Sequence, residues 1–240
     1  MNPRPDGSMD RNCNCIHLPY SDGASFSGYR AKPWPVPGTN ETVTFRGIKN
    51  FDAVVDFAMK HGMTNATEFV LTGGSAGGLS TFLHADRVAS RLKAEAPKIR
   101  EIRAAPVVGY FLDHDNFKHT TGFPGGPNSP QWSTPGTGAN YTNWMKYVYS
   151  MQNLTFGQDG GLTQACQAKH PTEPWLCFMS PHMQDVIQTP FFMFNSKYVR
   201  LEQENHRVHC TLTLYPGAGG TSTVLPKIRC GTVDGMIDVL

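Results

Sequence analysis

Apolar side chains recur at helical spacing between residues 47 and 62. In the sequence GIKNFDAVVDFAMKHG, one helical face would collect Ile48, Phe51, Val54, Val55, Ala58 and Met59. Gly62 is a suitable residue for a helix C-terminus. The pattern therefore predicts an amphipathic helix over this segment.

The next segment changes from strand to helix across a glycine-rich turn. The apolar run EFVLTG (68–73) predicts a strand, and a second helix is predicted from about Ala76 to Ala96, where Pro97 ends it. The sequence KIREIRAAPVVGYFLD (98–113) predicts another strand and its exit loop. This order of elements is typical of a β-α-β unit.

The second half alternates loop, helix and strand less clearly. Residues 121–140 are rich in proline and glycine and predict a loop, whereas YTNWMKYVYSM (141–151) predicts a helix. TPFFMFNSKY (189–198) is almost continuously apolar, as buried strands of parallel sheets are. We therefore expect an α/β fold with a mostly parallel sheet. TLTLY (211–215) could form one more strand, but the rest of the tail (199–240) suggests no architecture.

Composition narrows the class of protein. A length of 240 residues fits a single domain over the whole chain, and 39% hydrophobic with 17% charged residues is ordinary for a globular protein. The net charge is only +2 and no lysine–arginine cluster marks one face, which argues against nucleic acid or an anionic membrane as a partner. No run approaches the length of about 18 apolar residues that a membrane span needs. We expect a monomer.

The signals for cellular location disagree. The first residues, MNPRPDGSMDRNCNC, contain no apolar stretch and hence no signal peptide. Four N-x-[ST] sequons nevertheless indicate a history of secretion and glycosylation. They lie at Asn40, Asn65, Asn140 and Asn153. The six cysteines do not decide the compartment, although Cys166 and Cys177 have a suggestive local spacing.

The strongest candidate for chemistry is the serine in the glycine turn. Gly73, Ser75 and Gly77 satisfy the G-x-S-x-G pattern of a nucleophile elbow, in which a serine stands on a strained turn between strand and helix. We expect the two glycines to be needed because the chain bends sharply there. The backbone N–H of Ala76 would then be one oxyanion-hole donor.

Two other interpretations of the same glycines are possible. The turn could be purely structural, since three fixed positions often occur by accident. A phosphate-binding loop is excluded because the segment lacks both G-x-x-x-x-G-K-[ST] and the dinucleotide spacing G-x-G-x-x-G.

Several separated blocks between about residues 15 and 198 carry a family resemblance. They are IHLPYSDGASFSG, TFRGIKNFDAVVDFAMKHGMTNA, GGSAGGLSTFLHADRV, VVGYFLD and WLCFMSPHMQDVIQTPFFMFNSKY. In content and order these blocks resemble the pectin acetylesterase family, which includes the Notum-type carboxylesterases. The resemblance implies an α/β-hydrolase-like fold, with a mostly parallel central sheet flanked by helices.

The resemblance also implies an activity. It suggests a secreted serine esterase that works through an acyl-enzyme, with Ser75 as nucleophile and with no metal or cofactor. The implied substrate is an acyl ester, first of all an acetylated pectin-type polysaccharide of the cell wall, because SAGGL and DGASF are closer to the plant and microbial members. Removal of a lipid from a protein, as in the Notum branch, stays open. Cys166 and Cys177 match a disulfide of the family, the alternative being two reduced thiols.

The resemblance does not supply an acid or a base. The family's acid directly follows the N-S-x-Y motif, where this chain has Val199, and a valine cannot orient a histidine. Glu202 begins three residues too late. Downstream, His206 and His209 match no family motif, so we leave acid and base unknown. The other histidines considered are expected to be ordinary residues: His84 on the helix after Ser75, and His114, His119, His170 and His182 in loops.

Two interpretations account for these departures. The chain could be an incomplete or mis-spliced reading of an active esterase, since the family's upstream G-G-G-W-C-like segment is missing and Ser21 stands where a cysteine is expected. It could instead be a pseudoenzyme that binds acylated glycans or proteins. The retained elbow at Ser75 favours the first interpretation, because a binding protein needs no strained serine.

Overall fold

The computed structural model describes residues 14–113, 141–157, 159–196, 210–215 and 228–229. The predicted loop at 121–140 and most of the tail lie outside these ranges. Within the described part of the chain, no helix is long and apolar enough to cross a membrane.

The first helix forms where the apolar spacing predicts it. A two-stranded antiparallel hairpin comes first, with β1 at Trp34–Pro35 and β2 at Thr42–Val43. Helix α1 then spans Gly47–Lys60, and a short 3-10 helix covers Met63–Asn65. Gly62 lies just beyond α1 with a φ of 107°, a left-handed conformation that favours glycine.

The predicted β-α-β unit is also confirmed. Strand β3 spans Glu68–Gly74, helix α2 spans Ala76–Glu95 and strand β4 spans Glu101–Val107. The two strands pair in parallel, from Glu68 opposite Glu101 to Gly74 opposite Val107.

The remaining elements complete one five-stranded sheet. They are α3 (Tyr141–Met151), α4 (Gln164–Lys169), a 3-10 helix (Pro174–Phe178), α5 (Ser180–Gln184), β5 (Phe191–Ser196), β6 (Cys210–Tyr215) and β7 (Ile228–Arg229). The sheet order is β3-β4-β5-β6-β7. The strand suggested by TLTLY is therefore present as β6.

The sheet combines two pairing directions. Strands β3, β4 and β5 are parallel to one another, whereas β5, β6 and β7 pair in antiparallel fashion. The α/β class is confirmed. The parallel part of the five-stranded sheet consists of β3, β4 and β5. Because these three are parallel, their carboxyl ends meet at one edge, which is where open α/β sheets hold their ligands.

Two apolar clusters pack around α2. One lies between α1 and α2 and includes Ile48, Phe51 and Leu92. The other joins α2 to the sheet and to the segment before β5, with Phe82 and Phe178 at its centre. Both cysteines of the Cys166–Cys177 pair are fully buried in this second cluster and form a disulfide, which ties α4 to the following 3-10 helix.

Helix α2 approaches β4 so closely that only glycines fit between them. A Cβ added to Gly78 would lie 2.5 Å from the Val107 carbonyl oxygen and 2.8 Å from the Cα of Gly109. Among the described residues no such obstacle surrounds Gly77, where an added Cβ would meet nothing within 4 Å. The close approach therefore depends on the second glycine of the helix.

We predict opposite effects for two neighbouring substitutions. Gly78→Ala should lower the free energy of unfolding by about 1–3 kcal/mol, because the new methyl group overlaps rigid backbone atoms. Gly77→Ala should leave it unchanged or raise it by up to about 1 kcal/mol, because alanine is the better helix former. Urea unfolding of both variants measures the difference. Equal destabilisation by the two would refute the packing argument.

A neutral histidine is buried on the inner face of α2. His84 is fully buried, contacts the Phe51 ring at 4.5 Å between centroids, and has its Nε2 3.0 Å from the Ser25 carbonyl oxygen. That carbonyl can only accept, so Nε2 carries the proton. Burial lowers the pKa of His84 from 6.5 to about 4.

This histidine should make the fold sensitive to acid. Below pH 6.5 His84 becomes protonated in the unfolded chain, whereas in the folded chain it stays neutral down to about pH 4. Stability should therefore fall by about 3 kcal/mol as the pH drops through this window. His84→Gln should be less stable at neutral pH but lose this part of the pH dependence, as urea unfolding at several pH values would show. His61→Gln, at an exposed histidine, is the control and should keep the wild-type slope.

Candidate active site

Ser75 occupies a strained turn at the carboxyl edge of the sheet. It links the last residue of β3 to the first residue of α2, with φ 55° and ψ −118°. Side chains rarely adopt this conformation, which persists only where the surroundings enforce it. The Ser75 side chain is exposed at this edge.

Two backbone hydrogen bonds hold the serine in this conformation. Its N–H donates to the carbonyl of Val107 at 2.9 Å, and its own carbonyl accepts from the N–H of Leu79 at 3.0 Å. The first bond joins the turn to the end of β4, and the second joins it to the first turn of α2. The hydroxyl group is therefore presented by backbone that is fixed on both sides.

The first amide of helix α2 lies next to the hydroxyl group along the chain. Ala76 is the first residue of the 20-residue helix α2, so its N–H has no acceptor within the helix. The helix N-terminus also favours negative charge. A hydroxyl group and the first backbone N–H of a helix are thus adjacent in the chain.

The glycines of the elbow do not have equal roles. A Cβ on Gly73 would lie 2.5 Å from the carbonyl oxygen of Gly77, so Gly73 is required by space. Our expectation that Gly77 must also lack a side chain is wrong for the part of the chain that the structure describes, where an added Cβ meets no other atom within 4 Å. The residue under steric pressure after the serine is Gly78, which contacts β4.

The end of β4 continues into an exit loop (residues 108–113) that the sequence alone did not connect to the serine. Val108 has a φ of 49°, and its N–H donates to the carbonyl of Phe194 at 2.7 Å. The buried side chain of Asn195 accepts a hydrogen bond from the N–H of Tyr110 at 3.1 Å. Strand β5 therefore holds the exit loop beside the serine turn.

A chain of polar side chains closes the far end of this loop. The Nε2 of His182 lies 3.0 Å from a carboxylate oxygen of Asp113, and its Nδ1 lies 3.2 Å from the Nε2 of His170. Our expectation that His182 lies in a loop is wrong, because it belongs to α5. Both of its ring nitrogens are engaged by Asp113 and His170. No sequence pattern indicated this arrangement.

Other residues considered from the sequence fall into two groups. The sequons Asn40, Asn65 and Asn153 are exposed. The remaining candidates lie outside the described residues: Asn140, His114, His119, Val199, Glu202, His206 and His209. Among the described residues, no group of three or more histidine, cysteine, aspartate or glutamate side chains is arranged to hold a metal ion.

Known proteins with similar sequences are esterases by name. Pectin acetylesterase 11 of Arabidopsis thaliana is 29% identical over 187 residues, which is 78% of this chain and 40% of the relative. The palmitoleoyl-protein carboxylesterase NOTUM of Drosophila melanogaster is 25% identical over 197 residues, which is 81% of this chain and 26% of the relative. The chain thus spans less than half the length of these relatives.

Solved structures and a family model agree with this similarity. The Wnt deacylase Notum from Drosophila matches with a TM-score of 0.56 at 24% identity, covering 74% of this chain and 45% of that structure. This likeness supports the α/β-hydrolase-like fold. The family model described as Pectinacetylesterase matches residues 9–214, well beyond the limits 15–198 that the sequence blocks suggested. On this match, the chain belongs to the pectinacetylesterase family.

Proposed function

We propose that this chain carries the nucleophile of a serine carboxylic ester hydrolase, and that Ser75 is that nucleophile. The single observation that carries the proposal is the conformation of Ser75, which is strained, exposed and followed directly by Ala76, the first residue of helix α2. A turn with a purely structural role has no reason to keep a serine in so unfavourable a geometry.

The proposed reaction runs in two halves. The Ser75 hydroxyl oxygen attacks the ester carbonyl carbon while a base takes its proton, and the N–H of Ala76 stabilises the oxyanion that forms. Collapse of this intermediate breaks the bond to the alcohol, which leaves with a proton, and an acyl-serine remains. Water then attacks the acyl-serine, releases the acid and restores the hydroxyl group. We assign no base to this step and no acid to orient it, since Val199 stands at the family's acid position.

The preferred substrate is an acetyl ester of a pectin-type polysaccharide. Relatives named pectin acetylesterases, at 29% and 30% identity over 187 residues, favour this choice. An extracellular location, with glycans on the exposed sequons, accompanies this proposal. The similarity to proteins named palmitoleoyl-protein carboxylesterase favours a second candidate, removal of a long acyl chain from a protein. A binding protein without catalysis is the third, because Val199 stands at the family's acid position.

We predict that a fluorophosphonate probe labels the protein at Ser75, since the probe reacts with activated serines. Ser75→Ala should abolish the label and reduce ester hydrolysis to the uncatalysed background. Ser90→Ala is the matched control, because Ser90 is an exposed serine of the same helix α2. Mass spectrometry of the labelled peptide identifies the site.

The labelling result separates the enzyme from the binding protein. A folded wild-type chain that takes no label would refute the enzymatic proposal. Label that persists in Ser75→Ala would mean that another residue is the nucleophile.

We further predict that kcat/KM is higher for p-nitrophenyl acetate than for p-nitrophenyl octanoate. An acyl pocket built for a long chain would reverse this order, because each buried methylene contributes about 0.8 kcal/mol. A preference for octanoate of more than about tenfold would therefore support deacylation of a lipidated protein instead. Steady-state kinetics on the two esters decides between them.

A further inference from the structure

The end of β4 and the start of its exit loop contact the serine turn and the first turn of α2. The carbonyl of Val107, just before the loop, accepts the N–H of Ser75 at 2.9 Å. Gly109 lies against the first turn of α2, where a Cβ added to it would be 2.5 Å from the Cα of Gly78. The backbone at residues 107–109 therefore forms one wall of the serine turn.

The backbone conformation of this wall is unfavourable for one of its residues, Val108. Val108 adopts a φ of 49°, which is unusual for any residue with a side chain and costly for a β-branched one. Such a conformation persists only when neighbouring groups enforce it. The hydrogen bond from the Val108 N–H to the Phe194 carbonyl, at 2.7 Å, is one of these constraints.

Asn195 supplies a second constraint from the end of β5. Its side chain is only 8% exposed, and its Oδ1 accepts the N–H of Tyr110 at 3.1 Å. A backbone N–H can only donate, so the amide oxygen must face it. This bond fixes the loop one residue beyond Gly109.

Ser180 supplies a third constraint from a different element. Its side chain is fully buried at the start of α5, and its Oγ donates to the carbonyl of Gly109 at 2.6 Å. The two side chains therefore bind the N–H and the C=O of the same peptide group, between Gly109 and Tyr110. Asn195 reaches it from β5 and Ser180 from α5. Gly109, which they fix, is the residue in contact with Gly78.

We propose that Asn195 and Ser180 are positioning residues for Ser75. Through the exit loop, they maintain the Val107 carbonyl and Gly109 where the serine turn needs them. Their proposed role is to act on Ser75 through the backbone of the loop and not on the ester itself. The effect on reaction rate rests on the proposed function, whereas the effect on the Ser75 backbone does not.

The test compares four variants of the full chain. Asn195→Ala and Ser180→Ala each remove one bond to the loop, and Asn195→Asp keeps an oxygen that can accept the Tyr110 N–H. Thr189→Val is the matched control, because Thr189 is 5% exposed and its Oγ1 donates to Asp86 at 2.7 Å, in the segment before β5. It removes one buried hydrogen bond that does not involve the loop.

Hydrogen exchange of the Ser75 amide is the first readout, measured by NMR and corrected for global stability from urea unfolding. In Asn195→Ala and Ser180→Ala, exchange should be faster than in the wild type by about tenfold or more, as expected when a buried N–H or C=O loses its partner and the loop opens. Asn195→Asp should restore most of the protection, and Thr189→Val should stay near the wild type.

The rate of fluorophosphonate labelling is the second readout. It should fall by about tenfold or more in the two alanine variants, because small displacements of a reacting group reduce rates strongly. Unchanged Ser75 exchange in both alanine variants would overturn the proposal. If Asn195→Ala does not fold, Ser180→Ala and Asn195→Asp still decide it. If the wild type takes no label, the proposed function fails, while the exchange data independently test the positioning role.

Discussion

The contact between the backbones of Gly78 and Gly109 is the constraint on which the serine turn depends. It allows α2 to begin directly above the end of β4, close enough for the Ser75 N–H to reach the Val107 carbonyl. Any side chain at either glycine would separate helix and strand. The geometry of a site at the sheet edge thus follows from the absence of two Cβ atoms.

Strain occurs on both sides of that contact. Ser75 and Val108 each have a positive φ, one at the end of β3 and the other at the end of β4. Neither conformation is stable in isolation, and each is held by hydrogen bonds to the next strand of the parallel sheet. In the parallel order β3-β4-β5, β5 therefore stabilises the end of β4 by a hydrogen bond, and the end of β4 in turn stabilises the serine turn.

Local features were predictable from the sequence, and contacts between distant residues were not. The apolar spacing of 47–62 and the G-x-S-x-G pattern at Ser75 each depend on nearby residues, so α1 and the β3–α2 turn could be derived. The role of Gly78 depends on a residue 31 positions later, which no local pattern encodes. His182 was misplaced because a helix of five residues shows no periodicity. The role of Asn195 required the order of the strands.

The buried disulfide makes the carboxyl edge of the sheet, where Ser75 lies, dependent on the redox state of the surrounding compartment. Helices α4 and α5 have six and five residues, too few to be stable without tertiary support. The Cys166–Cys177 bond ties the middle of α4 to the 3-10 helix that precedes α5, and α5 begins with Ser180, which binds the exit loop. In a reducing environment this covalent support is lost. If Ser180 positions the serine turn as proposed, we expect the redox state of the surroundings to affect that turn through α5, although neither sulfur atom lies in it.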